Sequence, residues 1–308
     1  MVRTMGVFIR RMSRYKALLA MAVPGLFIVF VFSYLPMVGI VIAFEKFSFE
    51  KGLFGSPWVG FENFYYLFAT ADAWRITYNT LFLNALFIVC TLIVSLIFAL
   101  LFNEVRSRWA LRFYQSVIFY PFFISWVIVG YFVFGLLSNE KGVVNSWLVQ
   151  WGLSPVSWYT SPEYWPAILV IVYIWKNTGY FSVIYLAGML GINSEYYEAS
   201  KIDGANRLQQ VYYITLPLIM PLIVIMTLLQ IGRIFYADFG LFYNVTRDSG
   251  LLYSTTDVID TYVYRSLRVV GDLGMASAAG FYQAVVSFVL VVTANWLVRV
   301  YDKDKALF

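Results

Sequence analysis

Six apolar stretches, each long enough to cross a lipid bilayer, constrain this sequence more than any other feature. A bilayer core about 30 Å thick takes about 20 mainly apolar residues per helix. The runs Ala17–Phe44, Asn79–Phe102, Ser116–Leu137, Trp165–Leu190, Ile214–Phe235 and Met275–Val300 meet that length. In lipid every backbone N–H and C=O needs a partner within the protein, and a helix supplies them all locally. The expected fold is therefore all-α and polytopic, with six transmembrane helices across residues 17–301. Composition agrees: 61% of the 308 residues are hydrophobic and 13% charged, against about 25% charged in soluble domains. Pro24 and Pro36 predict a tilted or kinked first span. Its apolar core is longer than that of a cleavable signal peptide, so it reads as a retained helix.

Orientation follows from the basic residues. Arg3, Arg10, Arg11, Arg14 and Lys16 precede the first run, Arg106, Arg108 and Arg112 separate the second from the third, and Lys201 and Arg207 separate the fourth from the fifth. Arg299, Lys303 and Lys305 close the chain. Those four segments hold thirteen basic residues, and the longer opposite loops hold seven. By the positive-inside rule both termini are expected in the cytoplasm, with residues 1–16 as a basic N-terminus and 302–308 as a short tail. The net charge of +5 then records this bias, and no nucleic-acid partner is expected. The three longer loops, about Glu45–Tyr78, Ser138–Tyr164 and Tyr236–Gly274, are read as extracytoplasmic and irregular. They either cap the helices or dock an outer partner. The absence of histidine and the single cysteine, Cys90, exclude His-based acid–base catalysis, intrachain disulfides and the usual zinc sites. No metal site and no catalytic residue are expected.

Polar groups inside spans are costly and usually face a cavity or a neighbouring helix. Span four contains Tyr173, Trp175, Lys176, Asn177 and Tyr180. Span five ends with Gln230, Arg233, Tyr236 and Asp238, and span three offers Phe122, Ser125 and Trp126. Aromatic faces under C–H surfaces and planar polar groups on hydroxyls suit a sugar. Asn177 and Gln230 fit inter-helix hydrogen bonds equally well, and Phe122 also fits plain packing. Lys176 and Arg233 at membrane depth would suit a substrate bearing carboxylates. The competing reading has Lys176 snorkelling to the interface and Arg233 paired with Asp238.

One charged segment interrupts the hydrocarbon: Ser194–Pro221, "SEYYEASKIDGANRLQQVYYITLPLIMP". Ser194 is expected to cap a short helix with Glu195 and Glu198 near its positive end. Gly204 supplies a left-handed stop, and a second helix starts near Asn206 and runs into span five. Glu198–Ser200 (EAS), Asp203–Ala205 (DGA) and Ile214–Pro217 (ITLP) closely resemble the EAA loop of membrane subunits of binding-protein-dependent ABC importers. Ser200 stands where that family usually has alanine, and serine is small enough to take its place. "YLPMVGIVIAFEKFS" at 34–48, "YNTLFLNALFIV" at 78–89, "YLAGML" at 185–190 and "DVIDTYVYR" at 257–265 resemble the carbohydrate-uptake branch, within it the permeases of complex-oligosaccharide systems grouped with lipoprotein-type transporters.

The resemblance implies a type I ABC importer-like fold in a bacterial inner membrane. It makes residues 191–213 the cytoplasmic coupling loop, with Glu198, Ala199, Ser200, Asp203, Gly204 and Ala205 at the ATPase. It further implies a second permease of a different sequence, two ATP-binding subunits that hold ATP and magnesium, and an extracytoplasmic binding protein that delivers an oligosaccharide. This chain would bind no cofactor, which agrees with its lack of a G-x-x-x-x-G-K-[ST] phosphate loop. Phe122, Ser125, Trp126, Tyr173, Trp175, Lys176, Asn177, Tyr180, Gln230, Arg233 and Tyr236 are the candidate substrate path. An ion-gradient transporter is the main rival, but no Asp or Glu lies in the middle of a run and no inverted repeat is visible. A glycerol-phosphate or polyol importer is the alternative within the family.

Overall fold

The computed structural model describes residues 15–301. Residues 1–14 and 302–308, with Arg3, Arg10, Arg11, Arg14, Lys303 and Lys305, lie outside the described residues. Within them the regular structure is helical, and one isolated bridge joins Glu45 to Trp58. Five helical segments are long and apolar enough to cross a membrane: Lys16–Phe44, Asp72–Asn103, Pro162–Leu190, Arg207–Ile231 and Leu273–Val300. The first comprises α1 (Lys16–Val29), a π turn and a 3-10 stretch to Phe44. Pro36 at the start of that stretch lacks an N–H for the ladder, in keeping with the expected irregularity.

The third span differs from the straight helix expected. Residues 108–123 and 126–137 form a pair bent by 98°, so six crossings are reached only if this pair counts as one. Helix α2 (Glu62–Ala69) precedes α3 (Ala71–Asn103), and the bent pair consists of α4 (Arg108–Phe119) with a 3-10 turn, then α5 (Trp126–Leu137). Ile124 and Ser125 are extended (ψ 132° and 149°), and the Ser125 hydroxyl caps α5 by accepting from Ile128 N–H at 3.4 Å. Pro121 has no N–H to continue α4, which favours a break here.

The loops expected to be irregular contain short helices, among them α2 and α6 (Val143–Gln150). The fourth span is α7 (Trp165–Leu190), followed by α8 (Ser194–Ile202), α9 (Arg207–Gln210) and α10 (Leu216–Ile231). Then come α11 (Ile259–Arg265) and α12 (Leu273–Tyr301). The fifth run was expected to reach Phe235, yet α10 stops at Ile231. Tight bonds from Arg233 N to Gln230 O and from Tyr236 N to Arg233 O turn the chain instead, and Phe235 is buried against Ile76, Ile259 and Ala279.

Helices α3 and α7 pack along a polar, small-residue seam in which Thr91, Ser95, Thr178 and Ser182 are buried and Ser95 donates to the Thr178 carbonyl at 3.3 Å. Small residues let membrane helices approach closely where lipid gives no hydrophobic drive. Gly179 takes this furthest: a Cβ there would lie 2.2 Å from the Ile118 carbonyl oxygen, so α4 rests directly on the α7 backbone.

Asp260, on α11 between the last two spans, accepts from Ala237 N–H at 2.9 Å and Gln283 Nε2 at 3.0 Å. Burial pushes its carboxyl up to about 6. The folded value exceeds the ordinary one of about 3.9, so this contribution is complete below that ordinary value and is lost as pH rises through the folded value. The melting temperature of wild type relative to Asp260→Asn is therefore expected to rise on going from about pH 7 to about pH 4.5. A pH-independent difference would refute the assignment.

Candidate functional site

Helices α3 and α7 and the turn after α10 enclose a cavity of about 570 Å³, within the range of small-molecule sites. Tyr173 and Tyr180 come from α7, Gln230 from α10, Arg233, Tyr236 and Asp238 from the turn, and Asn84 and Phe87 from α3. Its walls are preset. Phe87 stacks on Tyr173 with centroids 4.3 Å apart, and Phe122 stacks on Tyr180 at 4.8 Å. Asn84 donates to the Ile234 carbonyl at 2.9 Å and so pins the turn that carries Arg233. Gln230 Nε2 is buried without a hydrogen-bond partner among the described residues.

The two charges in this cavity are not paired with each other, contrary to the Arg233–Asp238 pair weighed from the sequence. Asp238 Oδ2 accepts from Trp126 Nε1 at 2.6 Å, and Oδ1 accepts from Gly240 N–H at 3.1 Å. Among the described residues Arg233 forms no ion pair. Arg233 is the cation in the cavity lining.

Lys176 neither snorkels nor lines the cavity. It is 7% exposed, and its ammonium donates to the carbonyls of Pro121 (3.1 Å), Phe122 (3.0 Å) and Ile124. These carbonyls lie at the break in span three, where Pro121 O also accepts from Ile124 N–H at 3.1 Å. Irregular backbone at membrane depth survives only where protein groups satisfy it, and an ammonium has three N–H donors to give. Its charge also lies 5.1 Å from the Trp126 ring centre.

Of the candidate substrate residues, the fold thus brings Tyr173, Tyr180, Gln230, Arg233 and Tyr236 to one cavity. Phe122 buttresses Tyr180, Trp126 holds Asp238, and Ser125 caps α5. Asn177 donates to the Tyr173 carbonyl one turn earlier at 3.0 Å, and neither it nor Trp175 lines the cavity. Asn84 and Phe87 were missed. Asn84 was detectable as an amide within an apolar run, whereas nothing separates Phe87 from its neighbours in sequence.

The charged segment forms the expected helix–turn–helix. The N-cap of α8 is Asn193 in place of Ser194: its side chain accepts from Glu195 N–H at 3.0 Å, and Ser194 is the first helical residue. Gly204 has φ +81°, and Asn206 with Gln209 forms a reciprocal capping box that starts α9. Glu198, Ala199, Asp203 and Gly204 are exposed, and Ser200 and Ala205 are half-buried. Ser200 does more than stand in for alanine. Its hydroxyl donates to the Tyr197 carbonyl (2.9 Å) and accepts from the buried Gln210 amide (2.9 Å), tying α8 to α9. Ile202 and Leu208 are 88% and 80% exposed on the same segment.

Residues 91–305 match the family described as binding-protein-dependent transport system inner membrane component. Protein LplB of Bacillus subtilis is 34% identical over 95% of this chain and 92% of its own length. The polygalacturonan/rhamnogalacturonan transport system permease protein YteP of the same organism is 34% identical over 96% and 91%. Among solved structures, a bacterial ABC transporter involved in the import of the acidic polysaccharide alginate superposes with TM-score 0.86, at 35% identity over 95% of this chain and 98% of that one. A bacterial alginate ABC transporter in complex with alginate pentasaccharide-bound periplasmic protein gives 0.86 at 34% identity, over 96% and 98%.

Proposed function

The chain belongs to the inner membrane components of binding-protein-dependent transport systems, and we propose that it is the permease of an ATP-driven importer of acidic oligosaccharides. It is a multi-pass protein of the bacterial cytoplasmic membrane and a transport subunit, with hydrolysis left to others. A second permease of different sequence, two ATP-binding subunits that hold ATP and magnesium, and an extracytoplasmic binding protein complete the assembly. The six-span domain, 17–301, lies with both termini and the 191–213 loop in the cytoplasm. In this reading ATP binding draws the coupling loops together and the cavity changes the side to which it opens, a rigid-body alternation biased by nucleotide at one end and binding protein at the other. Glu198 makes polar contacts at the ATPase, Ala199 and Ala205 permit close packing, and Asp203 and Gly204 shape the turn.

The observation that carries the substrate class is Arg233, which forms no ion pair among the described residues and lines a cavity walled by Tyr173, Tyr180 and Tyr236. A planar fork of donors suits a carboxylate, and aromatic faces suit the ring that bears it. One similar structure is described as importing the acidic polysaccharide alginate, and one relative is named for polygalacturonan and rhamnogalacturonan transport, which supports the same class here. The test has two parts. Gentle solubilisation of the tagged chain is expected to bring down an ATPase and a second permease. Uptake of a uronic-acid oligosaccharide is expected to fall about tenfold or more in Arg233→Gln, the loss of one charge-assisted bidentate contact, with its carboxyl-reduced counterpart little affected. Gradient-driven uptake without ATP by the chain alone would refute the importer, and equal losses for both sugars would refute the acidic substrate.

A further inference from the structure

A second, smaller pocket, of about 200 Å³, lies between α5 and the far end of the π-helical turn Leu241–Val245. Asp238 precedes that turn and lines the main cavity; Tyr243, Asn244, Arg247 and Asp248 line the second pocket, with Tyr131 of α5 opposite. Its residue types are those of a sugar site: two tyrosines, an amide, a guanidinium and a carboxylate.

Their charges are not equivalent. Asp248 is balanced within its loop, for its Oδ1 accepts from Arg265 Nη1 at 3.0 Å and from the Tyr253 hydroxyl at 3.0 Å. Arg247 has no ion pair among the described residues, and its guanidinium lies 4.3 Å from the Phe134 ring centre. The backbone there is held in an unfavourable form: Arg247 and Asp248 take φ of 59° and 47° without being glycine. Bonds from Asp248 N–H to the Tyr243 carbonyl (3.1 Å) and from the Tyr253 hydroxyl to the Asp248 carbonyl (3.2 Å) fix it. Strain of this kind persists where surrounding structure over-determines it, and it clusters at binding sites. Tyr243 is itself locked, stacked on Phe239 at 5.0 Å and edge-on to Tyr264 at 5.2 Å.

We propose that this pocket is a second sugar subsite, in which Arg247 takes the carboxylate of one uronate unit while Arg233 takes that of another unit of the same chain. The proposal rests on the acidic-oligosaccharide reading above. The π-helical turn Leu241–Val245 stands between Asp238 at the main cavity and Arg247 at the second pocket, so the two arginines are assigned to different units of a chain longer than a disaccharide.

The test is uptake by the complete transporter in proteoliposomes, with saturating binding protein, of digalacturonate, tetragalacturonate and carboxyl-reduced tetragalacturonate. Arg247→Gln is expected to raise the half-saturation concentration for tetragalacturonate about tenfold, and to leave the disaccharide and the reduced tetrasaccharide at wild-type values. Arg233→Gln is expected to impair both charged probes. Equal impairment of both lengths by Arg247→Gln, or impairment of the reduced sugar as well, would overturn the subsite in favour of a structural or binding-protein contact. If Arg247→Gln does not assemble, Tyr131→Ala with the same length comparison decides the matter. Failure of wild type to carry either charged probe would bring down the acidic-substrate reading, and the subsite with it.

Discussion

Glu198→Ala is expected to leave a folded, membrane-inserted permease and to reduce ATP-driven uptake about 30-fold or more. The two halves have separate physical grounds. Within the chain Glu198 is exposed and in no ion pair among the described residues, so truncation orphans nothing, and substitutions of that kind usually change stability by about 0.5 kcal/mol or less. At an ATPase cleft the same carboxylate would be desolvated, and truncating one partner of such a contact costs about 2 kcal/mol or more. Thermal stability of the isolated chain, co-purification of the ATPase and ATP-driven uptake separate these terms. A mutant that is stable, keeps its ATPase and transports normally would remove Glu198 from the coupling role.

Lys176→Met is expected to damage the fold itself. It removes the ammonium from three carbonyls at the break in span three; Pro121 O keeps the Ile124 N–H, and for each of the other two an unsatisfied buried acceptor costs about 1–3 kcal/mol. With partial relaxation a loss of about 3 kcal/mol or more is reasonable, a large share of the marginal stability of most proteins. The damage should extend to the cavity, because the break also places Trp126 against Asp238. The amount of assembled transporter and its melting temperature should both drop, with uptake of charged and carboxyl-reduced sugars falling together. A Lys176→Met protein that assembled normally and lost only the charged sugar would show that the ammonium serves substrate and not backbone. The contrast with Arg233 is direct: both cations lie in or beside spans, but one is hydrogen-bonded to the chain's own carbonyls and the other lines a cavity with no ion pair among the described residues.

Much of the charged segment at 194–221 was legible in the sequence. Its signals act over short range: a polar side chain before a helix, a glycine where the backbone must turn left-handed, and amides at capping-box spacing. Only the cap was displaced by one residue, from Ser194 to Asn193, because either can accept from the first free N–H groups. The role of the Ser200 hydroxyl was not legible, since Gln210 reaches it only after the Gly204 turn folds α9 back on α8. In the candidate substrate path, residue types located five residues of the cavity lining, and Asn84 was within reach of the same reasoning. Phe87 was not, because an aromatic residue in an apolar run looks the same whether it faces lipid, packing or a ligand.

What the sequence determined by itself was the class of molecule and the positions of its spans, because a bilayer demands long apolar runs with satisfied backbones and tolerates few alternatives. Local chemistry likewise determined where the helix before Gly204 would stop and the next one start. The tertiary structure decided which polar groups are free. Lys176 and Arg233 are both cations within or at the end of apolar runs, and their neighbours in sequence do not tell which is paired. One meets three carbonyls at a break more than fifty residues earlier, and the other lines a cavity, because side-chain pairing is settled by which helices pack together and where a span bends.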